Sequence, residues 1–267
     1  MKTRIIIFFS LIGLLFLFVW SFRKYNEVKL VFCDVGQGDG MLLQKKNFQM
    51  LVDVGSANKK MLGCLEDHVP FWDKKIEVVI ISHWDTDHGG ALVELDDYYK
   101  IGKLFSGVEV DEKFEQFNYA KLLRKDDVVR TEWFEFDILW PYQEFEQSDE
   151  ELLDDNYYSL VGMLDVMGYK VLLTGDAPME VEQRLVWRKE LGDDIDILKV
   201  SHHGSNTGTS EELLEVIKPR MAVIGVGRNS YGHPTKEVIE RLEARGVEIK
   251  RTDKDGDIVF VLEKQKQ

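Results

Sequence analysis

Two histidines and two aspartates fall within six residues, in the segment His83-Trp84-Asp85-Thr86-Asp87-His88. Imidazole nitrogens and carboxylate oxygens are the ligands that zinc, manganese and related divalent metals take in proteins. The alternative is a solvated polar loop, but chance loops rarely repeat metal-ligand residue types at alternate positions. The segment therefore predicts a metal site.

Asp176 is a second candidate metal ligand. It follows an apolar strand predicted over residues 170–174, and it precedes a helix predicted to start near Pro178, because proline is favoured in the first helical turn. An aspartate in this position can also serve only as the cap of that helix.

Three further histidines stand at the ends of predicted elements. His202 and His203 follow a strand predicted over residues 195–200, and His233 precedes a helix that is predicted to begin at Pro234. If the strand continues through the adjacent pair, their side chains point to opposite faces, so only one of them is a ligand. Strand alternation favours His202 as the ligand and leaves His203 as a catalytic hydrogen-bond donor.

The elements around the first motif can hold it rigidly. Residues 78–81 form a β-branched run typical of a strand buried on both faces, and residues 91–95 begin a helix. The polar side chains of the motif therefore lie on a strand-to-helix turn, where a rigid scaffold can aim several of them at one point.

The pattern His-x-Asp-x-Asp-His-Gly-Gly from His83 to Gly90 resembles the metal motif of the metallo-β-lactamase fold. Asp85 stands where most members have a second histidine, and this variant resembles the soluble hydrolase domain of ComEC competence proteins. Three other short sequence motifs support the resemblance, which covers residues 28–262. They are Asp34-Val35-Gly36-Gln37-Gly38-Asp39, Gly175-Asp176 and Tyr231-Gly232-His233-Pro234.

The resemblance implies a four-layer αββα fold of the α/β class with two divalent ions, Zn or Mn, in one site. The first ion would take His83, Asp85 and one of the two adjacent histidines. The second would take Asp87, His88 and His233, with Asp176 bridging the two ions. The side chains expected to support the ligand histidines are Asp34, Gln37 and Asp53.

The remaining composition is that of one acidic domain. The chain has 267 residues, with 34 basic and 48 acidic residues and a net charge of −14. Without residues 1–24, 30 basic residues face 48 acidic ones, which gives −18. Such a body repels polyanions at long range. Cys33 and Cys64 are too few for a disulfide framework; two buried thiols are predicted, and one disulfide is left open.

Residues 5–22 form an apolar run of 18 residues. As a helix the run would be about 27 Å long, close to the hydrocarbon thickness of a bilayer. Lys2 and Arg4 precede it, and no small-residue cleavage site follows it. Residues 1–24 are therefore predicted to be an uncleaved transmembrane signal anchor, with residues 25–267 as the hydrolase domain outside the cytoplasm. A cleaved signal peptide and a secreted protein are the alternative.

The predicted activity is hydrolysis of a phosphodiester by a metal-activated water, and DNA is one candidate substrate. Asp87 is expected to help hold that water. An esterase or lactonase on the same fold is the alternative enzyme, and a metal-stabilised binding domain without catalysis is the alternative outside enzymes. The membrane is the expected partner of the N-terminal helix, and no protein partner is predicted.

Overall fold

A computed structural model describes residues 26–143 and 155–264. The predicted transmembrane segment, residues 1–24, and the boundary between the two predicted domains lie outside the described residues. Within the described ranges, no helix is both long enough and apolar enough to cross a bilayer.

The first sheet has seven strands in the order β14-β1-β2-β3-β4-β5-β6. They are β1 (Val28–Phe32), β2 (Gly40–Lys45), β3 (Phe48–Val54), β4 (Lys75–Ile81), β5 (Lys100–Ser106), β6 (Lys121–Leu122) and β14 (Ile258–Leu262). Neighbours from β14 to β3 pair antiparallel, and neighbours from β3 to β6 pair parallel. Strands β1, β3, β4 and β5 therefore start at one end of the sheet and finish at the other.

The second sheet also has seven strands, in the order β13-β12-β11-β10-β9-β8-β7. They are β7 (Val128–Arg130), β8 (Phe134–Trp140), β9 (Val161–Val166), β10 (Tyr169–Leu173), β11 (Ile197–Lys199), β12 (Met221–Ile224) and β13 (Glu248–Arg251). Neighbours from β7 to β10 pair antiparallel, and neighbours from β10 to β13 pair parallel.

The two sheets face each other across a shared apolar core, and helices cover their outer faces. Strand β4 illustrates the layering, because Val78 and Ile80 lie between the sheets while Val79 and Ile81 lie under the helices. This double burial explains the continuous β-branched run in the sequence. The helices are α1 (Lys60–His68), α2 (Thr86–Gly89), α3 (Leu92–Tyr98), α4 (Met179–Trp187), α5 (Glu211–Ile217), α6 (Lys236–Glu243) and α7 (Thr252–Asp255).

Helices α1 and α3 cover the first sheet, and α4, α5 and α6 cover the second. The predicted α/β fold of two mixed sheets with outer helices is thus confirmed for the described residues.

The sequence pattern predicts a helix over residues 114–123, and this prediction is wrong. A 3-10 helix spans Glu112–Phe117, and β6 follows it. Phe114 and Phe117 lie three residues apart, and their rings pack against Trp84 at centroid distances of 5.2 and 6.3 Å. A spacing of three residues places both rings on one face of a 3-10 helix, so this packing ends the helical pattern early.

The sequence also predicts that residues 247–252 and 257–262 form a closing hairpin around Lys254-Asp255-Gly256, and this prediction is wrong too. Strand β13 pairs with β12 in the second sheet, whereas β14 pairs with β1 in the first. The segment between them is the single turn α7, which Gly256 ends with a φ of 66°. The glycine that signalled a hairpin turn is therefore a helix end.

Cys33 and Cys64 form a disulfide, so the prediction of two buried thiols is wrong. Cys33 directly follows β1, and Cys64 lies on the buried face of α1 in the same apolar cluster. Tertiary packing brings their Cα atoms to 5.9 Å, although 31 positions separate them in the sequence. A sequence separation of 31 residues does not by itself indicate whether two cysteines form a disulfide.

We expect the double variant Cys33→Ala/Cys64→Ala to lose about 2–4 kcal/mol of unfolding free energy, because the crosslink restricts the unfolded chain. Urea unfolding of the full chain, with and without reductant, measures the loss. Reductant should lower the midpoint of the wild type and leave that of the variant unchanged. Identical midpoints for all four samples would contradict the contribution of the crosslink.

Candidate metal centre

The candidate site lies at the C-terminal ends of three strands, one in the first sheet and two in the second. Strand β4 leads into the motif at Ser82, β10 leads to Asp176, and β11 leads to the adjacent histidines His202 and His203. Because the two sheets face each other, these strand ends bring side chains from both sheets to one end of the core. Parallel strands commonly present their functional loops in this way.

Thr86–Gly89 of the motif form a helical turn of their own, α2, within the strand-to-helix turn that was expected. Asp85 stands just before this turn, and His88 on it is fully buried. The glycine-rich turn of residues 36–40 packs against it, with the amide of Asp39 donating to the carbonyl of Asp87 at 3.1 Å. Gly38 has a φ of 133°, and a Cβ there would collide with that carbonyl.

Each imidazole of the motif is held through its Nδ1 atom. The Nδ1 atom of His88 lies 2.9 Å from the Asp53 carboxylate, and that of His83 lies 3.1 Å from the Ser82 hydroxyl and 3.3 Å from the Ser159 hydroxyl. The Nε2 atom of His88 lies 3.1 Å from Asp176, and that of His83 lies 3.6 Å from Asp85. Partners at Nδ1 fix the orientation of a ligand histidine, and Asp53 makes the contact with His88 that its predicted supporting role requires.

The adjacent histidines do not continue a strand, because β11 ends at Lys199. His202 and His203 both adopt left-handed backbone conformations, with φ values of 48° and 54°. The strand alternation that favoured His202 therefore does not apply. The Nδ1 atom of His203 lies 2.8 Å from the Gly225 carbonyl, and that of His202 lies 3.2 Å from the Thr207 hydroxyl.

Asp176 is the carboxylate on which these imidazoles converge. Its oxygens lie 3.1 Å from the Nε2 atom of His88, 3.5 Å from that of His203 and 3.7 Å from that of His202. Its side chain is only 4% exposed. Asp176 is therefore the one predicted ligand that contacts three histidines in the described structure.

The two aspartates of the motif contact different histidines. Asp85 lies 3.6 Å from the Nε2 atom of His83, and Asp87 lies 3.4 Å from the Nε2 atom of His203. The Nε2 atoms of His88 and His203 are 3.3 Å apart. The carboxylates of Asp85 and Asp87 thus divide the histidines into two groups, and Asp176 contacts His88 and His203 of the second group together with His202.

His233, which was assigned to the second ion, is set apart from this group. Its ring packs at a centroid distance of 5.7 Å from the ring of His202 and at the same distance from that of Tyr231. It therefore borders the site beside His202. Two of the expected supporting residues also have other partners: Asp34 forms an ion pair with Lys60, and Gln37 accepts from the amide of Gly227.

Sequence reasoning missed Asp39 and Lys199. Asp39 lies 3.5 Å from the Nδ1 atom of His203 and 3.8 Å from that of His88. The ammonium group of Lys199 pairs with Asp39 and donates to the Gly175 carbonyl at 3.0 Å. A single lysine inside the apolar strand β11 was the available signal, because a lysine is almost never buried without a partner.

The charges of the site act strongly on one another. Burial by itself lowers the pKa of His88, but Asp176 and Asp53 outweigh it and raise that pKa well above its usual value. His203 responds in the same way, and the carboxylates of Asp176 and Asp39 raise its pKa to about 9. Burial favours the neutral acid at Asp176, yet His203 and His88 hold its pKa well below the usual value.

The donor set fits divalent metal ions. Asp39, His88, Asp176 and His203 offer ligand atoms that all lie within 4.8 Å of one another. The buried atoms His83 Nε2 and Asp176 Oδ1 make no hydrogen bond of good geometry among the described residues, although Asp176 Oδ1 lies 3.1 Å from His88 Nε2. Buried polar atoms are nearly always satisfied, so both atoms are candidate ligands for a divalent cation.

We expect metal binding to release protons at neutral pH. His88 and His203 hold protons in the metal-free protein because their pKa values are raised, and an imidazole nitrogen must lose its proton before it binds a metal. Apparent affinity for Zn²⁺ should therefore rise from pH 6 to pH 8, since both pH values lie below the raised pKa of about 9 for His203.

Titration calorimetry in two buffers with different ionisation enthalpies measures this release. The binding heat should differ between the two buffers by about two times the difference in their ionisation enthalpies, because two histidine protons are displaced. Heats that do not depend on the buffer would contradict the protonated state of these histidines.

The family model described as Metallo-beta-lactamase superfamily matches residues 33–228. Recombination protein 2 of Haemophilus influenzae is 33% identical over 233 residues, which is 84% of this chain and 28% of that protein. Competence protein ComA of Neisseria gonorrhoeae is 29% identical over 240 residues, which is 89% of this chain and 33% of that protein. The chain thus spans about a third of the length of these curated relatives, and the resemblance to ComEC-type proteins is confirmed.

Solved structures agree on the fold. The metallo-beta-lactamase fold protein YhfI of Bacillus subtilis has a TM-score of 0.58 at 15% identity, covering 87% of this chain and 99% of that one. The Zn²⁺-bound PqqB of Methylobacterium extorquens has a TM-score of 0.53 at 12% identity, covering 85% and 88%. At these identities the likeness concerns the fold alone.

Proposed function

The chain belongs to the metallo-beta-lactamase superfamily, and from that premise we propose that it is a hydrolase of phosphodiester bonds with two divalent ions, Zn or Mn. The proposal is carried by one observation: the Nε2 atoms of His88, His202 and His203 converge on the Asp176 carboxylate. The Nδ1 atom of each of these rings contacts another group of the protein. This arrangement is costly to bury without a cation and has the form of a metal-binding histidine cluster.

The contacts support one division of ligands between the two ions. The first group is His83 and Asp85, with His202 nearby on Asp176. The second group is Asp87, His88 and His203, all linked through contacts of His203 Nε2. His203 thereby takes the role that the motif resemblance gave to His233, and Asp176 is shared by both groups.

Two divalent ions held by these residues would lower the pKa of a water towards neutrality and stabilise charge on the attacked centre. Asp87 would accept a proton on the solvent side of the site, because its side chain is 32% exposed while that of Asp176 is 4% exposed. Lys199 neutralises Asp39 within the cluster. His202 is 29% exposed, and in this proposal its ring donates to the leaving group.

A phosphodiester substrate is supported by the names of the relatives, which are competence and recombination proteins. DNA is therefore included among the candidate substrates. An acidic body of net charge −14 opposes the approach of a long polyanion, so a short or single-stranded DNA end is favoured over an extended duplex. The alternative substrates are carboxylic esters and lactones.

We also propose that the protein is held in the cell membrane by residues 1–24, with the hydrolase domain outside the cytoplasm; a secreted form is the alternative. The disulfide between Cys33 and Cys64 supports this location, because disulfides persist mainly in oxidising compartments. Alkaline carbonate washing of the membrane fraction tests the anchor. Recovery of the full chain in the wash supernatant would overturn it.

A substrate screen tests the proposed activity. Metal-depleted full chain is loaded with Zn²⁺ or Mn²⁺ and assayed on bis(p-nitrophenyl) phosphate, p-nitrophenyl acetate, a lactone, and single- and double-stranded DNA. Phosphodiester turnover that requires metal supports the proposal. Ester or lactone turnover alone would make the protein an esterase, and loaded protein without turnover on any substrate would favour a binding domain.

The salt dependence of the DNA cleavage rate tests the effect of the acidic surface on substrate binding. We expect cleavage of DNA to become faster as monovalent salt rises from about 10 to 100 mM, because screening weakens the repulsion between the acidic body and the phosphates. Cleavage of bis(p-nitrophenyl) phosphate, a small monoanion, is the control and should change little. A DNA rate that falls with salt would indicate a local cationic DNA-binding surface.

A further inference from the structure

Three exposed aromatic side chains lie at the end of the fold that is opposite the metal centre. Phe71 and Trp72 are 81% and 62% exposed, and Tyr98 is 59% exposed. We refer to these three residues as the basal patch. Large exposed aromatic side chains in one region indicate contact with another surface.

The strand registers locate this patch. Val28, the first residue of β1, pairs with Lys45, which also pairs with Phe48 at the start of β3. The parallel registers of β3 with β4 and of β4 with β5 put Lys75 and Lys100 at the same end. The metal motif follows the other end of β4, about 20 Å away for a seven-residue strand.

The basal patch flanks these strand starts. Trp72 stands three positions before Lys75, the first residue of β4, and its ring packs edge to face with that of Phe71 at a centroid distance of 5.0 Å. Tyr98 stands two positions before Lys100, the first residue of β5, and the amide of Lys100 donates to the carbonyl of Lys74 at 2.8 Å. The two segments therefore adjoin, and they lie at the end of the sheet at which β1 also begins.

The residues that precede β1 indicate which surface contacts the basal patch. The apolar run of residues 5–22 ends six positions before Val28, and six extended residues reach at most about 20 Å. If that run is in a bilayer, Val28 lies within about 20 Å of the bilayer surface, and the end of the domain that carries the basal patch is the end joined to the membrane. Tryptophan, tyrosine and phenylalanine favour that interface because their rings are amphipathic or apolar.

We propose that the basal patch rests on the lipid bilayer and holds the metal centre on the far side of the domain. This proposal rests on the membrane anchor of the proposed function. Recognition is by aromatic side chains, because the exposed lysines Lys74 and Lys100 are offset by the exposed Asp96 and Asp97. Electrically neutral phosphatidylcholine is therefore a sufficient surface.

The orientation has a consequence for the substrate. A centre that is held at least about 20 Å from the bilayer, the length of a seven-residue strand, is open to a water-soluble substrate. A lipid headgroup in the same bilayer would be out of reach. The proposal therefore assigns the site to a soluble phosphodiester.

Fluorescence quenching tests the orientation. The full chain is labelled with a fluorophore at Trp72→Cys and reconstituted in phosphatidylcholine vesicles with a nitroxide on the headgroup. Tyr231→Cys is the matched control, because Tyr231 is an exposed aromatic residue, 74% accessible, beside His233 at the site end. Labelling is done without reductant, because Cys33 and Cys64 are joined.

The label at Trp72→Cys should lose most of its fluorescence in nitroxide vesicles, and the label at Tyr231→Cys should keep it. Equal quenching, or stronger quenching at Tyr231→Cys, would overturn the orientation while leaving the anchor and the activity intact. Absence of the full chain from the vesicle fraction would instead overturn the anchor and this proposal together. Lys100→Cys provides a second basal probe if Trp72→Cys fails to fold.

Discussion

The variant Asp176→Asn is expected to lose both metal ions and to lose turnover with them. The Asp176 carboxylate contacts the Nε2 atoms of His88, His203 and His202, and the proposed division of ligands makes it the one shared by both ions. Asparagine keeps the size of the side chain and removes its charge, so the fold is preserved while each ion loses an anionic ligand. The rate should fall by more than about 100-fold, the upper effect of a supporting partner of a ligand.

Asp85→Asn is the matched control for this prediction. Asp85 is 51% exposed, and among the described residues its carboxylate forms an ion pair with His83 alone, so its loss should weaken one ion and leave most of the other in place. Metal analysis of both variants after reconstitution and gel filtration provides the measurement. Wild-type metal content in Asp176→Asn would contradict the shared role of this carboxylate.

The second large effect is expected at His203, and its neighbour should differ from it. His203 is 2% exposed, and its Nε2 atom faces Asp87, His88 and Asp176. His203→Ala should therefore lower metal content and abolish turnover together. His202 is 29% exposed and contacts Asp176 alone among the carboxylates named above, so His202→Ala should keep most of the metal while its rate falls.

This expectation reverses the roles that strand alternation assigned to the two histidines. Metal content and initial rate, measured on both single variants, decide between the two assignments. Loss of metal in His202→Ala, with normal metal in His203→Ala, would restore the assignment made from the sequence. His203→Gln serves as a second variant if the alanine variant does not fold, because glutamine retains volume and polarity in the buried position.

The local pattern of the sequence was sufficient to identify the ligand types and the elements that carry them. The β-branched run before Ser82 predicted a strand buried on both faces, and β4 contributes to both apolar layers. Metal-ligand residues at alternate positions from His83 to His88 predicted the metal motif, and the Gly-Asp phrase predicted Asp176. These features could be read because strand burial and ligand chemistry depend on residues that are close in the chain.

Tertiary structure alone decided how these side chains are grouped. Asp39 and Lys199 meet although 160 positions separate them, and Cys33 pairs with Cys64 because α1 packs over β1. The last two strands join different sheets although their sequences suggested a hairpin.

The two histidines after β11 illustrate the physical reason. Strand periodicity predicts side-chain direction only while the backbone stays extended. Here the chain leaves the strand at Lys199, and both histidines take left-handed conformations that few residues other than glycine adopt. The Gly225 carbonyl and the Thr207 hydroxyl hold the two rings in that geometry. Gly225 lies 22 residues from His203, whereas Thr207 lies five residues from His202. The direction of the His203 ring therefore depends on a contact that the local sequence does not encode.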